Sequence, residues 1–514
     1  MAVVQTVTGI ATLLRKPQFI RNLVARLPAR GHDEPPQVAS ARALAREDPE
    51  HKTTAAVVAV AAQGVYAMTK PRNVTRRNAM QLGAAAATLP LVHIRTAGAA
   101  GKLTVGFWDH WVPPANDAMK KQVGIWAEKN KVEVTIDFIT SNGGKIAITQ
   151  AAEAQARTGH DFLPFYNWDV NTYADKLEPM DDVVKAMTAQ YGQYSPIHEY
   201  LSKLKGHWMA LPSSTGTLNL NCCARISLLK QHAGVDIVEM YPAHKSDPKA
   251  AANWTYDTFL KAAEVCQKAG FAFGLGLGQT GDSVNNTGII YSAFGAELVN
   301  AKGEITVESD AVNQVLDYMR KLVNFLPPDT VSYDDASNNR ALISGQSALI
   351  MNPPSAWSVA KRDAPKVAED CWTFPCPAGP KGRYNPYNYC FFGVWAFGSN
   401  KTAAKELAQY LQERPQVQER DTAANGYDLP PLISMSDFET WSEVEPPKGT
   451  VYNYPMRPWH DAHENITAYP APPDIAAQMY ARAIHPTMFA KVHSGQSNKE
   501  VIAWAKNELE GFMR

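Results

Sequence analysis

Leu103, Val105 and Phe107 alternate with small or polar residues, the period-two pattern of a half-buried strand. Met119, Val123 and Trp126 then step by four and three, the spacing of one helix face. Val132, Val134, Ile136 and Phe138 return to alternation and predict a second strand. A strand, a helix and a strand in this order favour a parallel sheet, whose ligands sit beyond the carboxyl ends of the strands. Each predicted strand ends in an unusual mix of aromatic and polar side chains. Trp108-Asp109-His110-Trp111 follows the first, and Tyr166-Asn167-Trp168-Asp169 follows a strand expected from Asp161 to Phe165.

Further along, Gly206 to Pro212 leads through Ser213-Ser214-Thr215-Gly216 into Leu218 to Asn221, an extended crossover with polar flanks. Ile226 to Gly234 predicts a helix closed by glycine. Asn253 to Asp257 opens another, with Phe259, Ala263 and Cys266 on one face. Phe271 to Gly278 alternates glycine with apolar residues and reads as a buried, glycine-relaxed strand. It has no Gly-Lys-Ser/Thr, which argues against a nucleotide. A helix carrying Tyr291 and Phe294 follows, then an amphipathic helix through Val312, Val315, Leu316, Met319 and Val323. Ala348 to Met351 is a short apolar strand. Asn352-Pro353-Pro354 ends it, because proline has no N–H and a fixed φ, and predicts a rigid loop bearing Trp357. Strand and loop are expected over Trp372 to Pro380, then an aromatic group of Tyr384, Tyr387 and Tyr389 and a strand over Phe391 to Phe397. Ile502, Ala505, Leu509 and Phe512 mark a final amphipathic helix.

The first hundred residues break this pattern. Residues 1–67 are rich in Ala and Arg without stable alternation, and predict a poorly ordered extension. From Met68, an alternative initiator to Met1, the text has the layout of a secretory signal. Lys70, Arg72, Arg76 and Arg77 form a positive start, Leu82 to Val92 a mild apolar core, and Ala97-Gly98-Ala99 a cleavage site. The pair Arg76-Arg77 resembles the twin-arginine export signal, so 68–99 is expected to be removed and the mature chain to start near Ala100. A basic amphipathic helix is the competing reading of this segment.

The 514 residues are 45% hydrophobic and 19% charged, enough for a large core. Net charge is zero, which leaves no electrostatic footprint for a nucleic acid. No apolar run reaches the roughly 18 residues of a membrane span. Of the six cysteines, Cys371 and Cys376 make a candidate local disulfide, with other connectivities open. None has zinc spacing, and neither a metal nor a cofactor is expected. Asp181-Asp182 reads as acids at a helix N-terminus.

Five phrases in order resemble bacterial periplasmic solute-binding proteins of ABC importers, in the carbohydrate-binding, maltose-binding-protein-like family 1. Gly206 to Asn221 is similar to the lead into that family's first crossover, and Trp254-Thr255-Tyr256-Asp257-Thr258-Phe259 to a helix start. Gly345 to Asn352 with Trp357, Pro375 to Gly382, and Gly393 to Lys401 are similar to its later segments. Pro354 and Ser355 depart from the family's usual Gly-x-aromatic. The resemblance implies an α/β, two-lobed periplasmic binding protein fold of type II. Each lobe would be a sheet flanked by helices, with crossover hinge strands between them. It implies 100–212 as the first part of lobe 1, 213–390 as the first part of lobe 2, 391–430 as the return to lobe 1, and 431–514 mainly on lobe 2.

The same resemblance implies an extracytoplasmic, monomeric binding component that passes a small-molecule solute, a sugar, to ABC permease subunits in the membrane. No catalytic residue is expected. Trp108, His110, Trp111, Asn167, Trp168 and Asp169 would contact the ligand from the first lobe. Tyr291, Ser355, Trp357, Tyr387 and Tyr389 would face them, with Ser213 and Ser214 on the hinge side. Two readings compete. One keeps transport but changes the ligand to a polyamine, a phosphodiester or an amino-acid derivative. The other is a secreted carbohydrate-active enzyme using Asp109 and Asp169.

Overall fold

The computed structural model describes residues 92–94, 101–241, 248–352, 355–435, 437–438 and 463–513. All belong to Leu89–Arg514, the second of two compact units in the chain. The expectations for residues 1–67, for the basic start, apolar core and cleavage site of the signal, for Pro353 and Pro354, and for Tyr452 to His460 lie outside the described residues.

Alternating sequence becomes sheet where it was expected. Strand β1 (Val92–Ile94) is the described part of the signal-like segment and pairs antiparallel with β3. Strand β2 (Gly101–Trp108) buries Leu103, Val105 and Phe107 at 1% exposure or less, each worth about 1.5–3 kcal/mol by transfer. Helix α1 (Pro113–Asn130) starts on two prolines, whose missing N–H groups cost nothing in a first turn. Strand β3 (Val132–Ile139) runs parallel to β2 along its whole length. Helix α2 (Lys145–Ala156) then leads to strand β4 (Phe162–Tyr166), parallel to β2 on its other side.

Strand β5 (Leu211–Asn219) is buried at every residue and continues almost directly into β6 (Cys222–Arg225). In the second lobe, helices α3 (Tyr256–Lys268), α4 (Gly281–Phe294), α5 (Asp310–Leu322) and α6 (Ser337–Ile343) precede strand β7 (Leu349–Met351). Helix α7 (Ser355–Asp363) and strands β8 (Cys371–Phe374) and β9 (Ala378–Gly379) follow. Strand β10 (Gly382–Val394) then returns to the first sheet, helix α8 (Arg414–Ala423) packs on α1, and β11 (His463–Asn465) pairs with β10. Helices α9 (Pro473–Ala481) and α10 (Ile484–His493) close the described chain together with Asn498–Phe512.

Two sheets result. The larger has the order β1-β3-β2-β4-β10-β9, with β5 and β11 also on β10; the smaller has the order β8-β6-β7. Strands β5 and β10 lie antiparallel, and each has one end in the large sheet and runs on toward the small one. They are the crossovers of a two-lobed α/β fold. Their register shifts between Asn388 and Cys390, opposite the point where Gly216 takes φ +86°.

Four expectations need correction. Phe271–Gly278 forms no strand. It is an extended segment held by isolated bonds, Gly274 N–H to Leu349 O and Leu277 N–H to Thr330 O, both 2.8 Å. Its glycines serve close approach, since a Cβ on Gly274 would lie 2.9 Å from the Ile350 side chain. Trp357 stands in the first turns of α7 and not on a loop. The strand placed at Phe391 to Phe397 is β10, which begins at Gly382 and takes in all three tyrosines. Cys371 and Cys376 do not face each other. All six cysteines are free and buried; the Cys371 thiol lies against Cys223, and the Cys222 thiol against Cys376.

Candidate functional site

A cavity of about 270 Å³ opens at the carboxyl ends of β2 and β4, faced by the start of α4, by α6 and by the end of β7. Its first wall depends on a buried histidine. His110 Nδ1 accepts the Val112 N–H at 2.8 Å, so the ring proton sits on Nε2 and is donated to Asp428 Oδ2 at 3.2 Å. The other Asp428 oxygen accepts the Gly216 N–H at 3.0 Å. The imidazole centroid lies 4.5 Å from that of Trp108 and 4.9 Å from that of Tyr427. It thereby props two rings that line the cavity and ties them to crossover β5.

At the end of β4, Asn167 takes φ +47°, a region asparagine tolerates better than most residues. Its amide is spent on structure. Nδ2 donates to Asn388 Oδ1 at 2.8 Å and to the Tyr480 hydroxyl at 2.9 Å, and Oδ1 accepts the Tyr389 N–H at 2.8 Å. Asp169 Oδ2 accepts the Tyr166 N–H at 3.0 Å and Gln150 Nε2 at 3.2 Å. Burial nevertheless pushes its carboxyl up to about 6, because losing water costs the anion more than two hydrogen bonds return.

The opposite wall starts where Thr280 caps α4 by accepting the Ser283 N–H at 3.1 Å. The cap sets Asp282 and Asn285, three residues apart, on one helix face. Asn338 Nδ2 donates to Asp282 Oδ2 at 3.1 Å. Beside them Asn352 Nδ2 donates to Asn339 Oδ1 at 2.6 Å, and Ser355 Oγ donates to Asn352 Oδ1 at 3.1 Å. The result is a cleft of flat rings (Trp108, Trp111, Tyr427, Tyr480) beside amides and carboxylates, with no Lys, Arg or His in its lining among the described residues. Nor do the described residues contain three or more His, Cys, Asp or Glu grouped to hold a metal.

Residues 121–446 match the family model of the bacterial extracellular solute-binding proteins. The chain belongs to that family. Among curated proteins no sequence matches this one. Solved structures share its fold. Maltose-bound MalE3 of Thermotoga maritima superposes with a TM-score of 0.63 at 18% identity, covering 80% of this chain and 99% of that one. A solute-binding protein of Thermotoga lettingae bound to α-D-tagatose gives 0.64 at 16%, covering 81% and 100%. A sugar transporter protein of Arthrobacter chlorophenolicus with laminaribiose gives 0.62 at 16%, covering 80% and 99%.

In this solute-binding protein the cavity takes in Trp108, Trp111, Asn167, Asp169 and Ser355 of the sequence-predicted contacts. The other eight are buried elsewhere. His110 lies behind the Trp108 wall. Trp168 donates from Nε1 to Thr467 O at 3.2 Å and meets Tyr200 edge-on. Ser213 accepts from Gln412, and Ser214 from the buried Arg420. Tyr291 stacks on Phe489 between α4 and α10, its centroid 5.3 Å away. Trp357 is buried with the Lys361 ammonium 5.1 Å from its ring. Tyr387 and Tyr389 stack on each other, 5.3 Å apart.

Strand and helix geometry explains these placements. On β10, Asn388 reaches the cavity, so its neighbours Tyr387 and Tyr389 point the other way. On α4, Tyr291 is nine residues after Asp282, half a rotation round the helix from the cavity face. Asp282, Asn285, Asp335, Asn339, Tyr427 and Tyr480 were missed. The available signal was Asn285-Asn286 inside an otherwise small and apolar helix, where a buried amide needs a reason.

Proposed function

We propose that this solute-binding protein holds a carbohydrate of one or two rings in the interlobe cleft and delivers it to the membrane permease of an ABC importer. The observation that carries the reading is the pairing of Trp108, Trp111, Tyr427 and Tyr480 with amides and carboxylates of both lobes in one cavity. Sugar rings present C–H faces edged by hydroxyls. Aromatic rings cover the faces, and carboxylates and amides take the hydroxyls. A volume of about 270 Å³ is at the low end for small-molecule pockets, which favours a short saccharide over a long chain. The sugars named in the similar structures support the same class.

A phosphodiester fits poorly, since among the described residues no cation lines the cavity. A two-carboxylate hydrolase fits poorly as well: Asp109 is exposed, accepts from Asn116 Nδ2 at 2.8 Å, and is not part of the lining. On this reading the ligand favours a closed form, with β5 and β10 as the hinge. The lobes run over 100–212 with 391–430, and over 213–390 with 431–514. Export uses the twin-arginine-type signal at 68–99, and the mature chain works as a monomer in the periplasm. Thermal melting of the chain from Ala100 against mono- and disaccharides tests the proposal. At least one saccharide is expected to raise the melting temperature, and a flat response across a broad panel would sink it.

A further inference from the structure

We propose that the cleft is built for a saccharide that carries a protonated amine, held between Asp282 and Asp335. The proposal rests on the carbohydrate reading and sharpens it. Three carboxylates, Asp169, Asp282 and Asp335, line the cavity, and no described Lys, Arg or His lines it with them. Asp335 lies against the Thr280 hydroxyl and the backbone N–H of Asp282, so the two carboxyl groups share one corner at the start of α4. Burial, and the mutual repulsion of the pair, holds the Asp282 carboxyl well above the usual carboxylate range. The first turn of α4 offsets part of one negative charge, but not of two. The cation next in sequence does not help, because Arg340 pairs with Asp334 at 2.8 Å on the surface.

Independent polar atoms point the same way. Asn285 lies one turn along α4 from Asp282, is 2% exposed, and lines the cavity with its Oδ1 free of any hydrogen-bond partner. Asp335 Oδ1 is likewise without a partner. Buried acceptors of this kind are costly unless a donor arrives. A neutral sugar can offer single O–H donors but brings no positive charge that would let both carboxyls ionise. An ammonium offers three N–H donors and a positive charge on one atom, which suits two carboxylates and a carbonyl oxygen in one corner. Rings of Trp108 and Tyr427 in the same cavity add a surface that tolerates a cation.

Calorimetry on the mature chain tests this with glucosamine and galactosamine, their neutral parents, their N-acetyl derivatives, putrescine and calcium chloride. At least one aminated sugar is expected to bind at least about tenfold tighter than its neutral parent and its N-acetyl form. That ratio is expected to fall to about threefold or less in Asp335→Asn and Asp282→Asn, with circular dichroism confirming that each variant is folded. If neutral and aminated sugars bind equally well, the amine proposal fails while the carbohydrate reading stands. If putrescine or calcium binds and no sugar does, both fail; if none of the probes binds, the amine proposal fails and the disaccharide melting panel decides the carbohydrate reading. The wild-type comparison alone decides the matter should a variant misfold.

Discussion

Replacing Gly216 by alanine probes the crossover that carries the cleft. Gly216 takes φ +86°, and a Cβ there would sit 2.8 Å from the Tyr166 hydroxyl and 3.1 Å from its ring. The backbone has no easy escape: its N–H is held by Asp428 at 3.0 Å and its carbonyl by Asn388 at 3.1 Å. Positive φ costs a residue with a Cβ about 1–2 kcal/mol. Overpacking against Tyr166 adds about 1–3 kcal/mol, so the variant loses roughly 2–5 kcal/mol in all. At about 1 °C per kcal/mol for a chain of this size, the melting temperature falls by roughly 2–5 °C. Differential scanning fluorimetry reads the change. Gly124→Ala is the control, since Gly124 lies within α1 and a Cβ there meets nothing within 4 Å; it is expected to stabilise by about 0.5–1 kcal/mol. Adding Tyr166→Phe to Gly216→Ala removes the nearest atom but not the φ strain, so only part of the loss returns. Unchanged melting of Gly216→Ala beside a normal Gly124→Ala would mean that the crossover accepts a Cβ at this position without strain.

Three further outcomes are expected. The Asp169 carboxyl is raised from 3.8 to about 6, so its proton stabilises the fold fully below about pH 4, and that support is lost as pH rises through about 6. The difference corresponds to about 3 kcal/mol, and Asp169→Asn should lack that slope in denaturant titrations run from pH 4 to 7.5. Trp111→Ala, which removes a half-buried ring from the cavity lining, is expected to weaken saccharide binding about tenfold while melting changes little. Mild dithiol oxidation followed by peptide mapping is expected to find Cys222 joined to Cys376 and Cys223 to Cys371; a Cys371–Cys376 peptide would contradict the packing around β6 and β8.

Much of the fold was legible because its signals are local. Leu103, Val105 and Phe107, or Val312, Val315, Leu316 and Met319, declare their period within a few residues, and the described structure buries them all. Residues that end strands were also legible. Trp108 ends β2, and Trp111, Asn167 and Asp169 come within three residues of the ends of β2 and β4, where a parallel sheet opens its cleft. The second wall was not, because its placement depends on how one lobe is turned toward the other. Nothing near Gly281 says that the first turn of α4 faces β2 from across the chain. Aromatic side chains drew attention to Tyr387, Tyr389 and Tyr291, but these fill the interior, and the polar Asn388, Asp282 and Asn285 on the opposite faces reach the cavity. His110 has the chemistry of a ligand contact, yet its place is behind the wall, against Trp108 and Tyr427.

The interlobe cleft is proposed to hold a short saccharide. Native mass spectrometry of the mature chain, purified without added sugar and then offered neutral and aminated mono- and disaccharides, tests it most directly. A one-to-one complex with a saccharide is expected, carried through purification or formed on addition, with its occupancy lowered in Trp111→Ala at equal concentration. A carried ligand without a sugar frame, or a chain that stays empty beside every saccharide offered, would contradict it.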